Sequence, residues 1–197
     1  MAIPLLSVHH LAETLLGCVC QTLNSTAEQI EGQPGCPCRA CVVPGTVAWD
    51  SCEDPCGTDA GSDGGQLTVS VARVVVSPDL GVSRVQEAVV LGARNCQLPP
   101  MAVELVITLL RCAPSSGEDG CPPTCEQLTA AAQVLHVDAA SVHNAVVCCF
   151  PQTAPSARRY RFTLGQLRTV GPEGECVGIE QRVTVALPNC RCPDESP

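Results

Sequence analysis

The chain has 197 residues, 45% of them hydrophobic and 2% aromatic, with 16 Cys and a formal net charge of −9. That length suits one domain, 1–197, or one domain with an embellishing loop, and no run approaches the ~20 consecutive apolar residues of a membrane span, so no membrane partner is expected. All eleven basic residues are Arg, and so acidic a chain lacks the concentrated basic face that phosphate-backbone binding needs as a main task.

Residues 5–23 read as an amphipathic helix capped by Ser7, with Val8, Leu11, Leu15, Cys18 and Val19 on one face. Residues 24–65 show neither helical nor strand period and form a Cys-rich insertion, stapled or functional as a loop of that length usually is. Alternation at Leu67, Val69, Val71, Arg73 and Val75 predicts a strand over 66–77, and 78–99, with Pro78, Gly81, Gly92 and Pro99, reads as a long excursion between strands. Met101 to Cys112 is a second strand, with apolar residues on both faces that predict cover on both sides.

Pro122-Pro123-Thr124-Cys125-Glu126-Gln127 is a helix start, with Thr124 as cap and Gln127 three residues on completing a capping box. Leu128, Ala131, Ala132 and Leu135 form the expected inner face of that helix. Asp138 recaps a second helical piece carrying Val142, Ala145, Val146 and Cys149, which Pro151 ends. Two final strands follow, over 158–169 and 176–187. The order α-β-β-α-β-β predicts an α+β fold, a mixed and mainly antiparallel sheet of about four strands flanked by two helices.

Catalytic signatures do not stand out, and the expectation is a protein that is not an enzyme. His9-His10-Leu11-Ala12-Glu13 is not the H-E-x-x-H of a zinc helix, and Cys121-Pro122-Pro123-Thr124-Cys125 is not the P-C-x-x-C of zinc deaminases. His136 and His143, seven apart, can share a helix face, but the ordinary reading of such a pair is two surface histidines.

Sixteen cysteines is a level associated with secreted disulfide scaffolds. The start Met1-Ala2-Ile3-Pro4-Leu5-Leu6-Ser7-Val8-His9-His10 carries no Arg or Lys and a short apolar run, which does not read as an export signal. Cys36, Cys38, Cys41 and Cys52 have the proximity for a tetrahedral zinc site, although the C-x₂-C knuckle occurs once. Disulfides explain the count more simply: the total is even, and Cys112, Cys121, Cys125, Cys148, Cys149, Cys190 and Cys192 fall at element ends, where a staple joins elements. Connectivity stays open at this point.

Several blocks together carry a resemblance. They are Cys41-Val42-Val43-Pro44-Gly45-Thr46-Val47-Ala48-Trp49-Asp50-Ser51-Cys52, Leu110-Arg111-Cys112-Ala113-Pro114, Gly171-Pro172-Glu173-Gly174-Glu175-Cys176 and Leu187-Pro188-Asn189-Cys190. The chain resembles the cysteine-rich neck and tail-completion proteins of tailed phages infecting actinobacteria, and among them the tail terminators. The absence of Lys suits a GC-rich host of that kind. The resemblance implies a virion protein assembled in the host cytoplasm as a homo-hexameric ring. Such a ring caps the tail tube, offers its other face to the head-completion protein, and lets double-stranded DNA through its lumen without sequence recognition. It implies no cofactor. It also makes Arg84 and Arg94, on the 78–99 excursion, candidates for pairing with acidic residues of neighbouring subunits. The 24–65 loop departs from ordinary terminators and leaves two alternatives open: a head-tail connector of the same neck, and a small zinc- or disulfide-containing binding module. A third, a secreted scaffold that has lost its signal, is disfavoured by Met1.

Overall fold

The computed structural model describes residues 4–47, 65–76, 101–116, 120–153, 161–173 and 175–187. The helix α1 spans Pro4–Gln29. Its inner face, Val8, Leu11, Ala12, Leu15, Cys18, Val19 and Leu23, is buried, the face expected from its three- and four-residue spacing. The helix begins before Ser7, so Ser7 lies within it rather than capping it. It also runs past residue 23, with Thr22 Oγ1 donating to the Cys18 carbonyl and Thr26 Oγ1 to the Thr22 carbonyl, so neither hydroxyl interrupts the helix. The chain turns away just beyond the helix, where Gly32 takes φ +82°, a left-handed conformation that costs glycine little.

The sheet has five strands: β1 (Ala40–Val43), β2 (Gly65–Val76), β3 (Met101–Cys112), β4 (Phe162–Glu173) and β5 (Cys176–Ala186), in the spatial order β1-β2-β3-β5-β4. β1 is parallel to β2, and the other three pairings are antiparallel. The α+β class and the mainly antiparallel sheet are as expected, with one strand more than the sequence suggested. β1 lies inside the segment read as an aperiodic loop. It is four residues long and is held by β2 in the register Ala40↔Leu67 to Val43↔Ser70. The 78–99 excursion lies outside the described residues.

Helix α2 (Cys125–Asn144) begins at the expected capping box. Thr124 Oγ1 accepts from the Gln127 amide at 3.2 Å, and the Thr124 amide donates to Gln127 Oε1 at 2.9 Å. A π turn (Ala145–Cys149) and a 3-10 turn (Phe150–Thr153) continue it. Two expectations for this helix are corrected. Asp138 does not recap a second piece; it lies mid-helix and wholly buried. Leu128 is 50% exposed and Ala131 and Ala132 are only half-buried, because burial along that side of the helix begins at Leu135 and continues through Asp138, Ser141 and Val142. The continuous stretch Cys125–Thr153 is, by length and composition alone, long and apolar enough to cross a membrane, contrary to the sequence expectation. In the fold its inner side chains, Val142, Ala145, Val146 and Phe150, join the core.

Both helices pack on one face of the sheet, α1 chiefly over β1 and β2 and α2 over β5. Between them and the sheet lies a core of Leu67, Val69, Val103, Leu105, Ile107, Leu109, Ile179, Val183 and Val185. Cys18 is bonded to Cys149, joining α1 to the end of the α2 stretch, and Cys20 to Cys36, joining α1 to the segment after it. Phe150 meets Phe162 edge to face, centroids 6.0 Å apart, so the same end of the helical stretch also touches the start of β4. In β3 residues of both parities are buried, Ala102 and Leu110 as well as Val103 and Leu109, as its two apolar faces predict.

At Gly178 the strands β3 and β5 come so close that a Cβ would sit 2.1 Å from the Leu109 carbonyl oxygen and 2.8 Å from Leu110 Cδ2. Gly178→Ala is therefore expected to force the two central strands apart and lower stability by more than about 2 kcal/mol, read as the shift in urea midpoint. A change below about 0.5 kcal/mol would contradict this close approach.

Candidate functional site

Of the four cysteines predicted as a possible zinc set, Cys36 is bonded to Cys20 and Cys38 is also disulfide-bonded. Cys41, on β1, keeps a half-buried free thiol, and Cys52 lies outside the described residues. Zinc takes thiolate ligands, and a sulfur in a disulfide is not one, so this structure presents staples here rather than four thiolates. Among the described residues no group of three or more His, Cys, Asp or Glu is arranged to hold a metal ion. Arg84 and Arg94 lie outside the described residues. His136 and His143 are both exposed, and His9 Nε2 lies 3.3 Å from Glu13 Oε1 across one exposed turn of α1.

The strongest polar constellation is one the sequence reading missed. Arg111, near the end of β3, donates through Nε to Asp138 Oδ2 at 2.9 Å and through Nη2 to Asp138 Oδ1 at 3.1 Å. The same Nη2 donates to the Gly35 carbonyl at 2.5 Å, and Gln33 Nε2 donates to Asp138 Oδ1 at 2.7 Å. Side-chain exposure is 6% for Arg111 and 0% for Asp138. Two opposite charges this deep persist only when paired in good geometry and further hydrogen-bonded. The sheet, α2 and the turn after α1 all contribute, so the cluster fixes three parts of the fold relative to one another. An acidic residue between Leu135 and Val142 on a buried helix face, and an arginine within a strand buried on both faces, were the available signals. Nearby, Thr26 and Ser141 share a 2.9 Å hydroxyl hydrogen bond between α1 and α2.

The face of the sheet away from the helices carries a second arrangement. Arg73 on β2 pairs with Glu104 on β3, Arg182 on β5 reaches both Glu104 at 2.8 Å and Glu180 at 3.2 Å, and Arg168 on β4 pairs with Glu180 at 3.0 Å. Arg73–Glu104 and Arg168–Glu180 are directly opposed cross-strand pairs, while Arg182 reaches Glu104 on the diagonal and Glu180 along its own strand. Glu104 is nearly buried while Arg73 and Arg182 are about half exposed, so the guanidinium stems cover the carboxylate and keep their heads wet. Burial pushes the Glu104 carboxyl up, but hydrogen bonds and charge from Arg73 and Arg182 outweigh it and hold the group below its ordinary value of 4.5. Arg182 is raised in turn, chiefly by its hydrogen bond to Glu104.

The described surface also carries an exposed strand and several apolar side chains. β4 is a sheet edge twelve residues long, and Leu164, Gly165, Gln166, Arg168, Thr169 and residues 171–173 along it are exposed. Ile30, Val74, Leu128, Val147 and Leu164 are large apolar side chains left exposed among the described residues. A shallow groove between the end of α1 and α2 is lined by Ile30, Ala132, His136, Val137 and Ala140, with Asn144 at one end.

No protein-family model and no curated protein matches the chain.

Asp138→Ala strands the buried Arg111 guanidinium and is expected to cost about 3–5 kcal/mol in chemical denaturation. Adding Arg111→Met is expected to recover a large part of that loss, and strictly additive losses in the double variant would refute the pairing. Because the folded-state pKa of Glu104 is depressed, its stabilising contribution is present above pH 4.5 and is lost as pH falls through the lower folded value. Glu104→Gln should therefore lose stability relative to the parent at neutral pH, and the gap should close as acid protonates the parent carboxylate. Parallel stability curves for the two proteins would contradict this.

Proposed function

We propose that the chain is a structural subunit of a phage neck, a tail terminator that assembles as a hexameric ring. In this reading the ring binds the last ring of the tail tube and stops its growth. It presents its other face to the head-completion protein, and double-stranded DNA passes through the lumen without being read. A lumen formed by subunits of net charge −9 repels phosphates rather than holding them.

The observation that supports the reading best is the pair of unlike edges of the sheet formed by the described residues. The sheet begins at a four-residue strand, β1, and ends at the twelve-residue, largely exposed β4. A long exposed edge is a hazard in a free monomer and an asset in a subunit. Rings are built head to tail from two different patches on each copy, and the two edges of this sheet are such patches. The resemblance in the blocks around Cys41–Cys52 and Gly171–Cys176 supplies the particular ring, and it agrees with the α+β layering of two helices on one sheet face.

The test is negative-stain imaging of the purified protein, alone and mixed with polymerised tail-tube protein of the same phage. Six-membered rings seated at tube ends, with tube lengths that stop increasing, are the expected result. Rings that bind the portal side but never cap tubes would make the chain a connector of the neck instead. A strictly monomeric protein that leaves tube growth unchanged would overturn the proposal.

A further inference from the structure

Most of the sulfurs whose state the structure gives are oxidised. Cys18, Cys20, Cys36 and Cys149 form two disulfides, and Cys38 and Cys112 are disulfide-bonded as well. Against that background Cys121, Cys125 and Cys148 stand out, because each is exposed and each keeps its thiol. Their placement is not scattered. Cys125 is the first residue of α2 with Cys121 just ahead of it, and Cys148 lies in the π turn that follows the other end of the same helix.

Each group also sits beside an exposed large apolar side chain. Leu128, 50% exposed, is three residues after Cys125 on the same helix face, and Val147, 41% exposed, immediately precedes Cys148. Surfaces that stay in water disfavour exposed thiols and large apolar side chains together. At a helical rise of about 1.5 Å per residue the two groups are roughly 35 Å apart, far beyond the Cα separation of about 7 Å that a disulfide can span. Within one copy, then, Cys148 cannot pair with Cys121 or Cys125. A head-to-tail contact brings unlike patches of two copies together, and it removes that limit.

We propose that the two segments at the ends of α2 carry the halves of a covalent link between copies, Cys148 of one subunit bonding to Cys121 or Cys125 of the next. This rests on the ring reading and names the partner as a second copy of this chain. The oxidant is a low-molecular-weight disulfide. One protein thiolate attacks it, forming a mixed disulfide and expelling one small thiol. The second protein thiolate then displaces the other small thiol, leaving the protein disulfide. Two protein thiols are oxidised, one small disulfide is reduced to two thiols, and the two protein protons pass to the expelled thiolates.

The experiment treats the full chain with oxidised glutathione and reads it on a non-reducing gel, with a mixture of ¹⁴N- and ¹⁵N-labelled protein analysed by peptide mass spectrometry. A ladder of multimers up to the ring is expected, with mixed-isotope peptides joining Cys148 to Cys121 or Cys125. Cys148→Ser and the double variant Cys121→Ser/Cys125→Ser should each abolish the ladder, and circular dichroism melts should confirm that these exposed substitutions leave the fold intact. Monomer alone on the gel overturns the proposal, as does a dimer that survives in the Cys121→Ser/Cys125→Ser protein, since that would be a Cys148–Cys148 link. Imaging of the reduced protein separates the two readings: rings without a ladder remove the cross-link and leave the ring, whereas monomers without a ladder remove both.

Discussion

The pairing of Arg111 with Asp138 is the constraint around which the other elements are arranged. Both charges are almost fully out of water, so neither can move without leaving the other uncompensated. Arg111 belongs to β3, near the end of the central strand, and Asp138 to the middle of α2, while Gln33 and Gly35 bring in the turn that follows α1. Apolar packing alone would allow α2 to slide or rotate over the sheet by a residue with modest loss. A bidentate ion pair does not, because its hydrogen bonds demand one register. Leu128 lies two turns before Leu135 on nearly the same face, and its exposure reflects that burial along this face begins only at Leu135.

The face of the sheet away from the helices obeys a different rule. Its charges are partly wet and spread over β2, β3, β5 and β4, so no single pair is indispensable, and exposed pairs of this kind contribute little each. What they achieve jointly is to let Glu104 lie nearly buried in a central strand with its carboxylate paired. One face of the sheet is thus fixed by a dry, local and unforgiving interaction, and the other by a wet and distributed one.

The legible parts of the fold were those whose cause is local. The capping box at Thr124 and Gln127 needs four residues and is written in them. The boundaries of β3 and the apolar face of α1 follow from periodicity over ten or more residues. Strand β1 was not legible because Ala40–Val43 has no period of its own and becomes a strand only by pairing with β2, whose matching residues begin 27 positions later at Leu67. Asp138 was misread for a comparable reason. An aspartate between two apolar helical turns looks the same in sequence whether it caps a new helix or meets a buried arginine, and the choice is made by Arg111, 27 residues away. Of the proposed site, the candidate cysteines could be found by counting, but which sulfurs are paired depended on the approach of α1 to the end of the α2 stretch, which spacing does not encode.

The two disulfides on α1 place very different demands on time. Cys20 and Cys36 are 16 residues apart, whereas Cys18 and Cys149 are separated by 131. A chain emerging from the ribosome can present both ends of the short loop almost as soon as α1 has appeared. The long loop must wait until β2, β3 and α2 have all been made. Two sulfurs within a single turn of one helix are therefore set on different clocks. The short bond can secure α1 to its own turn while there is still no sheet to pack against, and the long one can close only around a nearly finished molecule, so that an intact Cys18–Cys149 bond serves as a chemical record that the whole fold was once assembled.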